Sequence, residues 1–144
     1  MPRRSDARKC VLQMLYLLDQ NTDADLQTIR ATVEQNLENE ELVEFAWRLI
    51  TGVRASQDEL DQQITSVAQN WRVDRMAATD RNAIRAGLFE MQQVGTPAAI
   101  VLNETIELAR SFGTEHSASF VNGILDKLKP EQLSDAPAGE ETQA

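Results

Sequence analysis

The chain has 144 residues and carries 14 Lys and Arg against 23 Asp and Glu, a formal net charge of -9. That is the length of one domain or of two small helical lobes sharing a core, and the charge excludes a general, charge-driven nucleic-acid coat. A hydrophobic content of 42% with 6 Gly and 4 Pro excludes a disordered or collagen-like chain, the single Cys10 excludes an intrachain disulfide, and the single His116 argues against multi-histidine metal sites and histidine-based catalysis.

No alternating apolar run bounded by turn residues reads as a strand. Helical spacing dominates instead. The first helix is predicted from about Ser5 to Gln20, with Ala7, Val11, Leu12, Leu15 and Leu18 on one stripe and Cys10, Met14 and Leu17 widening it. Asn21-Thr22-Asp23 reads as a stop followed by a new N-cap. A second helix over about 24–37 carries Leu26, Ile29, Val33 and Leu37, and a third over about 39–53 carries Leu42, Phe45, Ala46, Leu49 and Ile50. Ser56-Gln57-Asp58-Glu59 fits a capping box opening a fourth helix, with Leu60, Ile64, Val67 and Ala68 on its apolar face. Thr79 or Asp80 is predicted to cap the fifth, which carries Ile84, Gly87, Leu88 and Met91 and ends at Gly95. Thr96-Pro97 reads as N-cap and first helical position of the sixth, which is lined by Leu102, Ile106 and Ala109, with Phe112 a further candidate for that face, and stopped by Gly113. Thr114 is predicted to cap the seventh, which ends before Pro130. Gly87 and Gly123 each cost about 1 kcal/mol inside a helix and so point to close helix–helix approach.

The fold class is therefore all-α, about seven helices in two packed subdomains. A single domain is expected over 1–130, with an N-terminal lobe at about 5–70, a C-terminal lobe at about 74–130 and a seam at 70–79. The acidic tail 131–144 is expected to be disordered. No apolar run approaches the roughly 20 residues of a membrane span. The basic start MPRRSDARK leads into a helix rather than a signal-peptide core, so the expected location is cytoplasmic.

The charge is unevenly spread. Residues 1–9 hold a net of +3, residues 20–70 a net of -7, and 131–144 a net of -4. With a Debye length of about 8 Å at physiological salt, the basic start can act locally while the whole is acidic. Arg4 and Arg8 are one helical turn apart, with Lys9 beside them and Arg3 before, a pattern suited to phosphate. Tyr16 lies two turns beyond Lys9, where it could stack on an unpaired base. On charge alone, a solvated helix start accounts for the same residues. A second cluster, Arg72, Arg75, Arg81 and Arg85, reads on spacing alone as surface arginines paired with Asp74, Asp80 or Glu90. The carboxylate pairs Asp58/Asp61 and Glu104/Glu107 lack the phosphate loop or P-loop lysine that would support a Mg²⁺ enzyme. No glycine loop for a dinucleotide or S-adenosylmethionine is present.

Several segments resemble the NusB family of bacterial antitermination factors. They are Arg4 to Tyr16 (Arg-x-x-x-Arg-Lys-x-x-x-Gln-x-Leu-Tyr), Glu59-Leu60-Asp61 with Ile64 and Trp71, and Asp80-Arg81-Asn82-Ala83-Ile84-Arg85. The most specific are Asn103-Glu104-Thr105-Ile106-Glu107-Leu108-Ala109-Arg110-Ser111-Phe112-Gly113 and Phe120-Val121-Asn122-Gly123-Ile124-Leu125-Asp126. Together these span about residues 4–129. The resemblance implies an all-α fold of two lobes, no catalysis and no cofactor. It also implies binding to the boxA RNA of ribosomal RNA leaders, pairing with the small-subunit ribosomal protein NusE, and entry into the RNA polymerase antitermination complex. The RNA-contacting positions it implies are Arg3, Arg4, Arg8, Lys9, Tyr16, Arg85 and Phe112, and the partner-binding position is Asp80. A second reading, motivated by the acidic 20–70 segment, is a helical protein–protein adaptor or homodimer with little RNA binding of its own.

Overall fold

The computed structural model describes residues 3–69 and 71–130, and the tail 131–144 lies outside them. Seven α-helices follow one another: α1 (Arg4–Gln20), α2 (Leu26–Leu37), α3 (Glu40–Ala55), α4 (Gln57–Val67), α5 (Ala78–Phe89), α6 (Ala98–Phe112) and α7 (Ser117–Leu128). A 3₁₀ turn at Val73–Arg75 joins α4 to α5, and α5 runs on into a π-helical turn at Glu90–Val94. No strand occurs among the described residues.

The apolar stripes read from the sequence meet in one large cluster that runs from Ala7 on α1 to Leu128 on α7. Helix α5 is the central element, touching α1, α3, α4, α6 and α7. Its Ile84 and Leu88 are fully buried. Two glycines admit close packing. A Cβ on Gly52 of α3 would overlap the Phe89 ring of α5, and one on Gly87 would meet Leu125 at 3.0 Å and Thr105 at 3.1 Å. Gly123 does not share that role: a Cβ there meets nothing within 4 Å, because this face of α7 is open.

The helix ends differ from the sequence reading in informative ways. The N-cap of α2 is Asp25, whose side chain accepts from Gln27 N–H, while Asn21 ends α1 and accepts from Asp23 N–H at 3.2 Å. Asn39 caps α3 by accepting from Leu42 N–H at 3.0 Å. The expected capping box at Ser56 does not form. Ser56 ends α3 with its own N–H donated to Gly52 O at 2.9 Å, so no N–H is left there for Glu59. Ala77, not Thr79 or Asp80, is the N-cap of α5. Pro97 holds that position for α6, one residue later than expected, and its carbonyl accepts from Ile100 and Val101. At α7 the N-cap is His116 rather than Thr114, whose hydroxyl accepts from His116 N–H at 3.3 Å while Ser117 Oγ accepts from Thr114 N–H at 2.9 Å. The π turn ends at Gly95, which has φ 84° and donates its N–H to Glu90 O at 3.0 Å. Glycine takes that left-handed conformation without strain.

Candidate nucleic-acid interface

Helices α1 and α6 pack side by side with residue numbers rising together. Arg8 Nη1 lies 3.4 Å from Glu104 Oε1. One turn on, Leu12 and Leu108 share a small buried cluster with Ala83 of α5. One turn back, Arg4 and Ile100 line the same cleft. Each pair is separated by the same 96 positions, a register that, carried one turn on, matches Tyr16 to Phe112. Both are exposed, at 44% and 36%. The seam thus runs from an arginine end to an aromatic end, about 18 Å apart at 1.5 Å per helical residue.

At the arginine end the side chains divide into two kinds. Arg3, Arg4 and Lys9 are exposed. The Arg4 guanidinium sits over the Phe45 ring of α3, 4.4 Å from its centroid, a cation–π contact that fixes its position. Asp6 caps the helix start by accepting from Arg3 N–H at 2.7 Å. Arg8, in contrast, is buried. It grips Glu90 with both fork nitrogens, Nε to Oε1 at 2.9 Å and Nη2 to Oε2 at 2.5 Å, and also faces Phe45 at 5.4 Å. Burial by itself would make this guanidinium easier to deprotonate. The hydrogen bonds and charges of Glu90 and Glu104 outweigh burial, and its pKa lies above the ordinary value.

A second buried network supports the aromatic end. Asp19, three residues past Tyr16, accepts from Arg81 Nε at 2.8 Å and from Asn82 Nδ2 at 2.9 Å. Arg85 is 5% exposed and forms a bidentate pair with Asp61 of α4, at 2.7 and 2.8 Å, while donating to Asn82 Oδ1 at 3.1 Å. Burial pushes the Asp19 carboxyl up, but the hydrogen bonds from Arg81 and Asn82 and the charges of Arg81 and Arg85 hold it below the usual range. Of the expected local pairs, only Arg72 with Asp74 is made, at 2.9 Å. Arg81 and Arg85 reach across the fold instead, and Glu90 belongs to Arg8.

Asp80 stands in the first turn of α5, with Oδ1 buried and without a hydrogen-bond partner. It borders a hollow of about 400 Å³ lined by Trp71, Met76, Ala77, Thr114, His116 and Phe120. Trp71 is half exposed and meets Phe120 edge-on, with 5.6 Å between ring centroids.

The NusB family model matches residues 5–130. The transcription antitermination protein NusB of Myxococcus xanthus is 38% identical over 133 residues, covering 89% of this chain and 95% of that protein. The chain belongs to the NusB family. Among solved structures, NusB of T. maritima superposes with a TM-score of 0.81 at 29% identity, covering 96% of both chains. A crystal structure of the antitermination factors NusB and NusE in complex with double-stranded RNA matches with a TM-score of 0.78 at 25% identity, over 87% of this chain and 94% of that one. The NusB family acts in transcription antitermination and is not enzymatic.

Within this NusB-family frame, Arg3, Arg4, Lys9 and Tyr16 stand out by charge and spacing and Phe112 by the family resemblance, but the acids that hold the seam's arginines do not. Glu90 sits in the apolar run Gly87-Leu88-Phe89-Glu90-Met91, and a lone acid in such a run was the available signal that it is buried and paired. Arg48 of α3, on the far wall of the cleft beside Arg4, gave no signal beyond its three-residue spacing from Phe45. Three of the four carboxylates considered for metal binding are engaged elsewhere: Asp61 with Arg85, Glu104 with Arg8, and Glu107 with Arg110 at 2.8 Å. No helix among the described residues is long and apolar enough to cross a membrane.

Proposed function

We propose that this chain binds the boxA RNA of ribosomal RNA leader transcripts together with NusE, and in the cytoplasm joins the RNA polymerase antitermination complex to suppress premature termination. The observation that carries the reading is the α1–α6 seam, which presents exposed guanidinium groups at one end and two exposed aromatic rings at the other. Arg3, Arg4 and Lys9 take phosphates. Tyr16 and Phe112 stack on unpaired bases, since aromatic faces accept any base without sequence readout. Arg8 and Arg85 act as positioning residues: their donors are taken by Glu90 and Asp61, and the pairs fix α1 and α5 under the RNA face. Asp80, partly exposed in the first turn of α5, meets a donor of NusE. Residues 1–130 act as one NusB-like domain, with the lobes 5–70 and 74–130 sharing the α5 core. The structural relative solved with NusE and double-stranded RNA supports both partner classes.

The test is a gel shift with single-stranded boxA RNA, with and without NusE, across a salt series and against duplex competitor. Stacked aromatics contribute about 1–3 kcal/mol per base, so Tyr16→Ala and Phe112→Ala should each weaken binding by roughly 5- to 150-fold while the fold persists. Unchanged binding in both removes the reading. Asp80→Ala should weaken NusE capture and leave RNA binding alone. A helical adaptor or homodimer is favoured by one observation: Glu40, Glu41 and Glu44 stand with Arg4 around a neighbouring hollow, an acidic face beside the basic one. A binding slope near zero against log salt would support that alternative.

A further inference from the structure

The α1–α6 seam does not end at Arg4. Beyond it opens a cleft of about 720 Å³ between the start of α1, α3 and the loop joining the π turn to α6. Arg3 and Arg4 form one wall. Gly95, Thr96 and Ile100 form another, and Arg48 of α3 stands opposite. Arg48 is exposed, and its Nη2 donates to Gln93 O in the π turn at 2.8 Å. One nitrogen therefore anchors the guanidinium at the lip, a preorganised arrangement that lowers the entropy lost on binding an anion.

The acids around the cleft decide what it can accept. Glu104 borders it, but its carboxylate faces Arg8 at 3.4 Å. Glu44 is held by Arg30 at 2.6 Å, and Glu40 and Glu41 lie with it on the other side of Arg4. Among the described residues, none of Arg3, Arg4 and Arg48 is in an ion pair. Three unpaired guanidinium groups around one open cleft are suited to a polyanion. The start of α6 on the same wall adds the positive end of its dipole, since Pro97 supplies no side-chain cap. An anionic strand leaving the seam is repelled by Glu40, Glu41 and Glu44 and drawn across Arg48.

We propose that the RNA surface continues from the seam into this cleft, with Arg48 binding a phosphodiester of the strand that extends past Arg4. The inference rests on the RNA-binding reading above, and Arg48 adds to that reading a contact outside the segments that carry the family resemblance. The test uses the full chain and fluorescence anisotropy with two single-stranded RNAs. One is a boxA core, and the other is the same core extended by several nucleotides at both ends. Arg48→Ala should weaken the extended RNA roughly 3- to 10-fold and flatten its salt slope by about 0.7, the value for one phosphate of a single strand. It should leave the core unchanged. Arg48→Glu should weaken the extended RNA further. Arg54→Ala removes the same charge from the same helix outside the cleft and should change neither RNA. An Arg48→Ala protein with wild-type affinity and slope on the extended RNA overturns the inference. So does an equal loss from Arg54→Ala, which would make the effect one of net charge. If Tyr16→Ala weakens both RNAs in the same series, the RNA reading survives that outcome; if it weakens neither, both fall.

Discussion

Glu90→Ala leaves Arg8 buried with Glu104, at 3.4 Å, as its remaining acid partner. The side chains of Arg8 and Glu90 are 8% and 3% exposed, so the lost carboxylate is not replaced by bulk water. Breaking a buried pair from one side costs about 3–5 kcal/mol, because the remaining charge is stranded. Glu104 and the Phe45 ring offset part of this, which puts the expected loss near 3 kcal/mol. For a domain of this size that corresponds to a fall in Tm on the order of 10 °C, measurable by urea and thermal denaturation followed by far-UV circular dichroism. Replacing both partners, Arg8→Met with Glu90→Leu, removes both buried charges together and should recover most of the stability. The refolded double variant then separates structure from recognition. With Arg8 acting only through the position of α1, it should bind RNA nearly as well as the parent. A loss below about 1 kcal/mol for Glu90→Ala would refute the desolvated pair. A stable double variant that loses RNA binding as severely as Arg4→Glu would show that Arg8 itself touches the RNA.

Three further outcomes are expected. Gly52→Ala drives a methyl into the Phe89 ring and should destabilise by about 1–3 kcal/mol, whereas Gly123→Ala on the open face of α7 should be neutral or stabilise by up to about 1 kcal/mol in urea denaturation. The pKa of Asp19 is lower folded than unfolded, so its contribution is complete above the ordinary carboxylate value of about 3.9 and disappears as pH falls through the lower folded value. Asp19→Asn should therefore be less stable than the parent at pH 7, with the difference shrinking below about pH 4. Deleting residues 131–144, which carry a net charge of -4, should raise RNA affinity at low salt if the tail shields the basic face, and equal affinities would exclude that shielding.

Helix number and order were legible because the apolar spacing is strong and nearly every stripe found its place in one core. Helix ends were less so. A helix start depends on which residue leaves helical backbone, and at Ser56 the chain passes from α3 to α4 with that residue's N–H already used, so the serine and Glu59 signature had nothing to close on. Within the site, neither exposure nor pairing follows from spacing. Tyr16 and Phe112 stand one turn past the buried Leu12 and Leu108, so helical spacing alone sets them with the core, yet both are exposed. The partners of Arg8, Arg81 and Arg85 lie 82, 62 and 24 residues away, respectively, beyond the reach of helical spacing. Gly87 and Gly123 show the same limit, since identical helical glycines face a packed helix in one case and open space in the other.

The net charge of -9 is a sum over residues that do different things. Arg8, Arg81 and Arg85 are neutralised inside the fold by Glu90, Asp19 and Asp61, and cannot release counterions from an RNA without abandoning those acids. The exposed cations at the start of α1 and in the cleft are Arg3, Arg4, Lys9 and Arg48. At about 0.7 per phosphate for a single strand, four such contacts predict a slope of log affinity against log salt near -3. A slope of -5 or steeper would require the buried arginines to turn outward onto the RNA. That change would break two ion-pair networks at several kcal/mol each, and it would appear as a loss of α1 and α5 amide protection in hydrogen exchange on RNA binding. A shallow slope with protection retained is the outcome expected of a rigid footprint, in which the fold's own acids have already determined which arginines face the RNA.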